Sequence, residues 1–322
     1  MFSERSLIET ILAPLTRSGG GALGLADDAA FIRPRAGYDL VITQDSLQEG
    51  VHFLPADPPD QVAQKALRVN LSDICAKGAE PRHYLLSLFI PAGMDEGALR
   101  SFADGLARDQ ESYDIELLGG DTVRSTGGFG LTVTMSGEVP GGRMVHRSGA
   151  APGDIIYVSG TIGDAVLGLK ILSREIEVTD QKQKDYLVSR YRLPRPPVSL
   201  APLVREFAGA AMDISDGLAG DLSLLSRASG VSAEIDCARL PLSPAAEALI
   251  SAEPGLMAAL ISGGDDYQIL CTVPEARRGA FERAAGGAFR AIGRIEAGTA
   301  PPRFTGRDGK TMRLDKLSYA HF

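Results

Sequence analysis

The chain has 322 residues, with 33 basic against 41 acidic side chains and a net charge of −8; that length is about two domains' worth, and that charge argues against a nucleic-acid or anionic-membrane surface. The longest apolar stretch, around 84–92, falls far below the roughly 20 residues that a membrane-spanning helix needs. Cys75, Cys237 and Cys271 are odd in number, far apart and without a C-x-x-C pair, so the sequence predicts neither a disulfide framework nor a zinc knuckle, and a reducing cytoplasm.

The N-terminus mixes charges at once, unlike a signal peptide. After Ser3, Leu7, Ile8, Ile11, Leu12 and Leu15 recur at helical spacing, which predicts an amphipathic helix ending before Ser18-Gly19-Gly20-Gly21. The run Gly19-Gly20-Gly21-Ala22-Leu23-Gly24 spells G-x-G-x-x-G but follows a helix, so it lacks the strand context of a dinucleotide site. Strands are expected over 29–33 and 38–43, then a helix opened by Asp57-Pro58-Pro59 and closed by Gly78. On that helix Asn70 and Asp73 are three apart and share a face. A strand over 84–90, a helix over 95–113, a strand over 115–118 running into a Gly119-Gly120 turn, and a long strand over 129–139 complete a mixed first half. The turn-rich run from Ser148 to Gly153 marks a joint between domains at 1–148 and 149–322. A strand over 154–159, a helix over 162–172, a proline-rich loop over 192–202 and alternating helices and strands to about 297 follow.

Short aspartate motifs punctuate these elements: Ala26-Asp27-Asp28-Ala29-Ala30, Thr43-Gln44-Asp45, Asn70-Leu71-Ser72-Asp73, Gly119-Gly120-Asp121-Thr122, and Met212 through Asp213, Ser215 and Asp216 to Leu218. Carboxylates flanked by small and hydroxyl residues suit hard cations such as Mg2+ better than zinc, and several such ions point to a polyphosphate substrate. Any one motif alone could equally be a turn or a helix cap. Extended chain would send Asp27 and Asp28 to opposite faces, so one direct ligand is expected, and Asp28 is favoured. Asp45 leads into a short loop that carries His52. No P-loop sequence occurs, so ATP would have to be held by metal and aspartates rather than by a Walker loop. Arg147, just before the joint, has the chemistry of a phosphate clamp.

Taken in order, and with Glu49-Gly50-Val51-His52-Phe53, Arg147-Ser148-Gly149-Ala150, Ser262-Gly263-Gly264-Asp265-Asp266-Tyr267 and the tail Tyr319-Ala320-His321-Phe322, these motifs resemble the thiamine-monophosphate kinase family over nearly the whole chain. That family belongs to the superfamily of aminoimidazole ribonucleotide synthetase and selenophosphate synthetase. The resemblance implies an α+β fold of two mixed α/β domains of the aminoimidazole ribonucleotide synthetase-like type, with the N-terminal domain contributing to a homodimer interface. It also implies ATP-dependent phosphorylation of thiamine monophosphate to thiamine diphosphate, with several Mg2+ ions. Metal positions fall on Asp28, Thr43, Gln44, Asp45, Asp73, Asp121, Asp213 and Asp216. ATP positions fall on Tyr113, Gly120, Asp121, Arg147 and Ser215, and contacts to the thiamine phosphate fall on His52, Asp265 and Tyr319.

The sequence departs from the family pattern at Ala26, where a glycine is usual, at Gln44 in place of threonine, and at Asp265 in place of glutamate. The last change retracts a carboxylate by one methylene. The expected chemistry is direct in-line attack of the acceptor phosphate on the γ-phosphorus, because an acceptor already ionised at pH 7 needs no strong base. Two alternatives remain at this point: a related enzyme acting on another acceptor, and a non-catalytic nucleotide-binding member.

Overall fold

The structure, a computed structural model, describes residues 3–318. It divides into two compact units, one of residues 3–74 with Ala79–Gly142 and one of Cys75–Gly78 with residues 143–318. Residues 143–148, ahead of the expected joint, thus fall in the second unit.

The first unit opens with a helix whose pitch changes along its length. Ser3 caps α1 (Glu4–Leu7) by accepting from the Ser6 N–H, and the helix continues as a π-turn over Ile8–Leu12 and a 3-10 turn over Ala13–Leu15. Beyond it stand β1 (Tyr38–Gln48), α2 (Pro59–Ala76), β2 (Glu80–Pro91), α3 (Glu96–Tyr113), β3 (Glu116–Ser125) and β4 (Gly130–Pro140). The four strands pair in the order β1-β4-β2-β3, parallel only between β2 and β3. Strand alternation buries Val41, Leu47, Leu86, Leu88, Leu131, Val133 and Met135 on one face. Helices cover that face: the Tyr84 hydroxyl donates to Gln110 of α3 at 2.7 Å, and Phe102 of α3 meets Phe129 edge-on at 5.5 Å. Leu7, Ile11 and Leu12 of the N-terminal helix join Leu99 and Ala103 of α3 in a smaller cluster. The opposite face stays open and carries exposed Leu40, Ile42, Leu85, Phe89 and Val123.

Two expectations fail here. Residues 29–33 lie in no strand; the Phe31 N–H bonds the Gly21 carbonyl at 3.1 Å instead, and apolar composition does not make a strand without a ladder to join. Gly119 and Gly120 are not a turn but the middle of β3, paired with Leu85 and Leu86 of β2 beside a register shift.

The second unit holds β5 (Ile155–Ser159), α4 (Asp164–Leu172), α5 (Gln181–Arg192), α6 (Ala201–Phe207), β6 (Ala210–Ile214), α7 (Leu218–Ser229) and β7 (Ser232–Asp236). It continues with α8 (Pro244–Ala252), α9 (Leu256–Ser262), β8 (Gln268–Val273), α10 (Arg278–Ala285), β9 (Phe289–Glu296) and β10 (Arg303–Thr305). The strands form one sheet in the order β10-β7-β9-β5-β8-β6. β5, β6 and β8 bury every residue, which is why they read as continuous apolar runs rather than alternating ones. One face packs Ile156, Val158, Met212 and Leu270 with Leu167, Leu222 and Leu260 from the helices. The other packs Tyr157, Ala211 and Cys271 with Val204 and Phe281, and the helix end at Cys75 and Ala76 joins that cluster. Among the described residues no helix is long and apolar enough to cross a membrane.

Candidate functional site

In the first unit Asp28 is exposed in an irregular segment after the 3-10 turn Leu23–Leu25, and its N–H donates to Asp27 Oδ1 at 2.8 Å. Thr43, Gln44 and Asp45 are consecutive on β1, so Thr43 and Asp45 share the helix-covered face with Val41 and Leu47 while Gln44 takes the open one. Thr43 Oγ1 donates to Asp73 Oδ2 at 2.5 Å, which ties β1 to α2 and joins two predicted metal positions. Gln44 Oε1 accepts from Thr134 Oγ1 at 2.8 Å, turned away from Asp73. Asp121 pairs in register with Ser87, between the buried Leu86 and Leu88, and therefore also projects from the open face. Its Oδ1 accepts from the Thr122 N–H at 2.9 Å. Asp73 and Asp121 thus lie on opposite sides of one sheet. Asn70, three residues before Asp73 on α2, is fully buried, and its amide donates back to the Ala66 carbonyl at 3.0 Å.

Tyr113 closes α3, with the Arg68 guanidinium 5.9 Å from its ring centre. His52 Nδ1 accepts from the Gln48 N–H at 3.0 Å, and this acceptor role places the proton of the neutral ring on Nε2. The His52 carbonyl accepts from Lys65 Nζ at 2.9 Å, which fixes the loop to α2.

In the second unit the motifs are drawn together more tightly. Asp213 is buried on β6, paired with Ile269 of β8. Ser215, Asp216 and Gly217 turn the chain into α7, and the N–H groups of Ser215 and Asp216 both donate to Asp221 Oδ2 at 3.1 Å. Burial, reinforced by the Asp216 charge, pushes the Asp221 carboxyl up to about 7, while the turn's N–H groups pull the other way. The Asp265 N–H donates to the Ser215 carbonyl and the Tyr267 N–H to the Ile214 carbonyl, both at 2.8 Å. The acceptor motif and the metal motif are therefore zipped side by side. Asp265 (φ +70°) and Tyr267 (φ +49°) both take the left-handed conformation, at a cost of roughly 1–3 kcal/mol each for non-glycine residues. Between them the Asp266 carboxylate is buried, and Oδ2 accepts from the Gly163 N–H at 2.7 Å. Burial holds that carboxyl well above the usual carboxylate range.

Arg147 is exposed. The carbonyl of its neighbour His146 accepts from the Ala211 N–H at 2.9 Å, at the opening end of β6, four residues and roughly 13 Å of strand from Ser215. Tyr319 lies outside the described residues; ahead of it Leu317 and Ser318 run over α7 at Gly220.

Mg2+ asks for hard oxygen donors, and Thr43 with Asp73 in one unit and Asp213, Ser215 and Asp216 in the other offer only those, so the donor chemistry fits. Among the described residues no three His, Cys, Asp or Glu side chains converge on one ion position. The sequence reading missed Asp221 and the anchoring role of Asp266. Asp221 had a usable signal, an acid inside the apolar run Leu218-Ala219-Gly220-Asp221-Leu222, since a buried acid there needs the N–H groups of the turn before it.

Comparison with known proteins accords with this layout. Residues 26–139 match the family described as AIR synthase related protein, N-terminal domain, and residues 151–300 match its C-terminal domain. The thiamine-monophosphate kinase of Caulobacter vibrioides is 45% identical over 322 residues, covering 98% of this chain and 90% of that protein. The enzyme of the same name from Escherichia coli K12 is 43% identical, covering 93% and 92%. Among solved structures, thiamine-monophosphate kinase from Stenotrophomonas maltophilia K279a superposes with a TM-score of 0.80 at 36% identity, covering 89% of this chain and 91% of its own. AaThiL complexed with AMPPCP and TMP superposes with a TM-score of 0.79 at 34% identity, covering 100% and 97%. The chain belongs to the thiamine-monophosphate kinase family of AIR synthase related proteins.

Proposed function

We infer that the chain transfers the γ-phosphoryl group of ATP to thiamine monophosphate, giving thiamine diphosphate and ADP. The observation that carries this reading is the 45% identity to the Caulobacter thiamine-monophosphate kinase over 98% of the chain. The likeness to AaThiL complexed with AMPPCP and TMP supports the same pair of substrates.

The reaction asks for positioning and charge neutralisation more than for covalent catalysis. An oxygen of the acceptor phosphate attacks the γ-phosphorus in line while the bond to the β,γ-bridging oxygen breaks, and ADP leaves with that electron pair. Mg2+ ions, when bound, would neutralise the phosphate oxygens; we assign Asp28, Thr43, Gln44, Asp45, Asp73 and Asp121 of the first unit and Asp213 and Asp216 of the second to several ions rather than to one, since Asp73 and Asp121 face opposite sides of one sheet. Tyr113, Asp121, Arg147 and Ser215 are assigned to ATP, with Gly120 keeping β3 close against β2 next to Asp121, and His52, Asp265 and Tyr319 to the thiamine phosphate. The Nε2 proton of His52, set by the Gln48 N–H on Nδ1, suits donation to a phosphate oxygen. Cys75, Cys237 and Cys271 are buried free thiols, in keeping with action in the cytoplasm.

ADP release measured with Mg2+ and ATP, with and without thiamine monophosphate, tests the reading. Turnover should require the acceptor, yield thiamine diphosphate and stop when EDTA removes the metal. ADP release that ignores thiamine monophosphate would favour a relative with another acceptor, and ATP binding without turnover would favour a non-catalytic member.

We also propose that the chain forms a homodimer through the open face of the first sheet, where Ile42 is 66% exposed beside Leu40, Leu85, Phe89 and Val123. Apolar residues clustered on one sheet face are the usual mark of a buried interface. Ile42→Arg should convert a dimer to a monomer by light scattering while the circular dichroism spectrum is kept. A monomeric parent, or a dimer indifferent to the arginine, rules the face out.

A further inference from the structure

Asp266 stands between two residues with left-handed backbone, Asp265 at φ +70° and Tyr267 at φ +49°, and is itself 2% exposed. Its Oδ2 accepts from the Gly163 N–H at 2.7 Å, immediately ahead of α4. On either side, the Asp265 and Tyr267 N–H groups are held by the Ser215 and Ile214 carbonyls. The approach is close: a Cβ on Gly264 would sit 2.2 Å from the Ser215 carbonyl oxygen. The loop is thus held on one side by the Ser215 and Ile214 carbonyls and on the other by the Asp266 side chain, beside the packing of Gly263 on Val166 of α4. Loss of that side chain removes the hydrogen-bonded hold on the α4 side and favours relaxation of two residues out of an uncommon conformation.

We propose that Asp266 is a positioning residue: its hydrogen bond to Gly163 fixes the left-handed turn that presents the neighbouring Asp265 carboxylate to the thiamine phosphate. The role rests on the kinase reading above, and it belongs to the acceptor side of the site. Asp266 itself is buried and touches no substrate. Ordinary core function would weaken the whole unit; a positioning role affects one substrate.

The test compares KM for thiamine monophosphate, KM for ATP, kcat, and the calorimetric Kd for thiamine monophosphate alone. Asp266→Ala should raise KM and Kd for thiamine monophosphate by about tenfold or more, an effect comparable to losing one charge-assisted contact, with KM for ATP held within about twofold. Asp266→Asn, which keeps an acceptor for the Gly163 N–H, should stay near the parent. In an Asp265→Ala background the Asp266→Ala change should add nothing further, because the carboxylate it presents is already gone. Should Asp266→Ala fail to fold, Asp266→Glu keeps the carboxyl group but overshoots Gly163 by one methylene, and carries the same expectation. Equal losses for both substrates, an unchanged acceptor KM, or full additivity with Asp265→Ala would each overturn the proposal. A parent protein with no acceptor-dependent turnover and no binding of thiamine monophosphate would instead overturn the kinase reading.

Discussion

Asp73→Asn should lower kcat by about 100- to 1,000-fold, the size of effect seen when one preorganised charge-stabilising group is removed from a transfer site. The unfolding midpoint should move by no more than about 3 °C, as for a change that breaks no packing. Asparagine retains a carbonyl oxygen, so Thr43 Oγ1 still has its partner and the tie between β1 and α2 survives. What disappears is the negative charge, at a half-buried position where losing it leaves no cavity. Asp27→Asn is the matched control. Asp27 is exposed, and its Oδ1 accepts from the adjacent Asp28 N–H at 2.8 Å. Its loss should cost turnover far less than the loss of Asp73. Steady-state ADP release in Mg2+ with thiamine monophosphate, alongside thermal melts, separates the outcomes; equal losses for the two variants would refute the assignment of the metal positions.

The difference between these aspartates was only partly legible in the sequence. Spacing places Asp73 on a helix face, and the structure adds the partner on β1 that no local pattern could name. Spacing also grouped Asn70 with Asp73 on one helix face, and what it could not show is that Asn70 is fully buried with its amide bonded back to the Ala66 carbonyl. Long elements were readable because their patterns are redundant: Asp95 capping α3 and the apolar positions of β2 and β4 each repeat the same message. Residues 29–33 had apolar letters but no partner strand, and pairing is a long-range property. Asp121 was expected just past a glycine turn and Gln44 just past the end of a strand, yet both lie inside strands, and which face they take depends on register, where one residue of slip reverses it. The zipping of Ser215 to Asp265 joins segments about fifty residues apart in the chain, a contact beyond the reach of any local pattern.

Gly120→Ala should destabilise the protein by on the order of 4 kcal/mol or more, in the range reserved for a named backbone conflict, whereas Gly119→Ala should cost about 1 kcal/mol or less. Gly120 has φ +156°, and a Cβ there would lie 1.7 Å from the Leu86 carbonyl oxygen, 2.5 Å from its carbon and 2.9 Å from its nitrogen. Every one of those atoms is backbone, so no side chain can swing aside. The parallel pairing of Leu86 with Gly120 would have to part, and β2 would move with it, dragging Leu86 and Leu88 from the helix-covered face. At Gly119 the nearest atom to a Cβ is the flexible Leu85 Cδ2 at 3.6 Å, an ordinary contact. A glycine turn shaped to receive a phosphate would make the two residues comparable in stability and costly mainly in ATP binding. A strand-packing role makes them unequal, with Gly120 failing in folding before any effect on turnover can be read. Urea denaturation of both variants decides it: similar midpoints for the two would mean that the adjacent glycines serve a loop, and that β3 owes its place beside β2 to something other than the missing Cβ of Gly120.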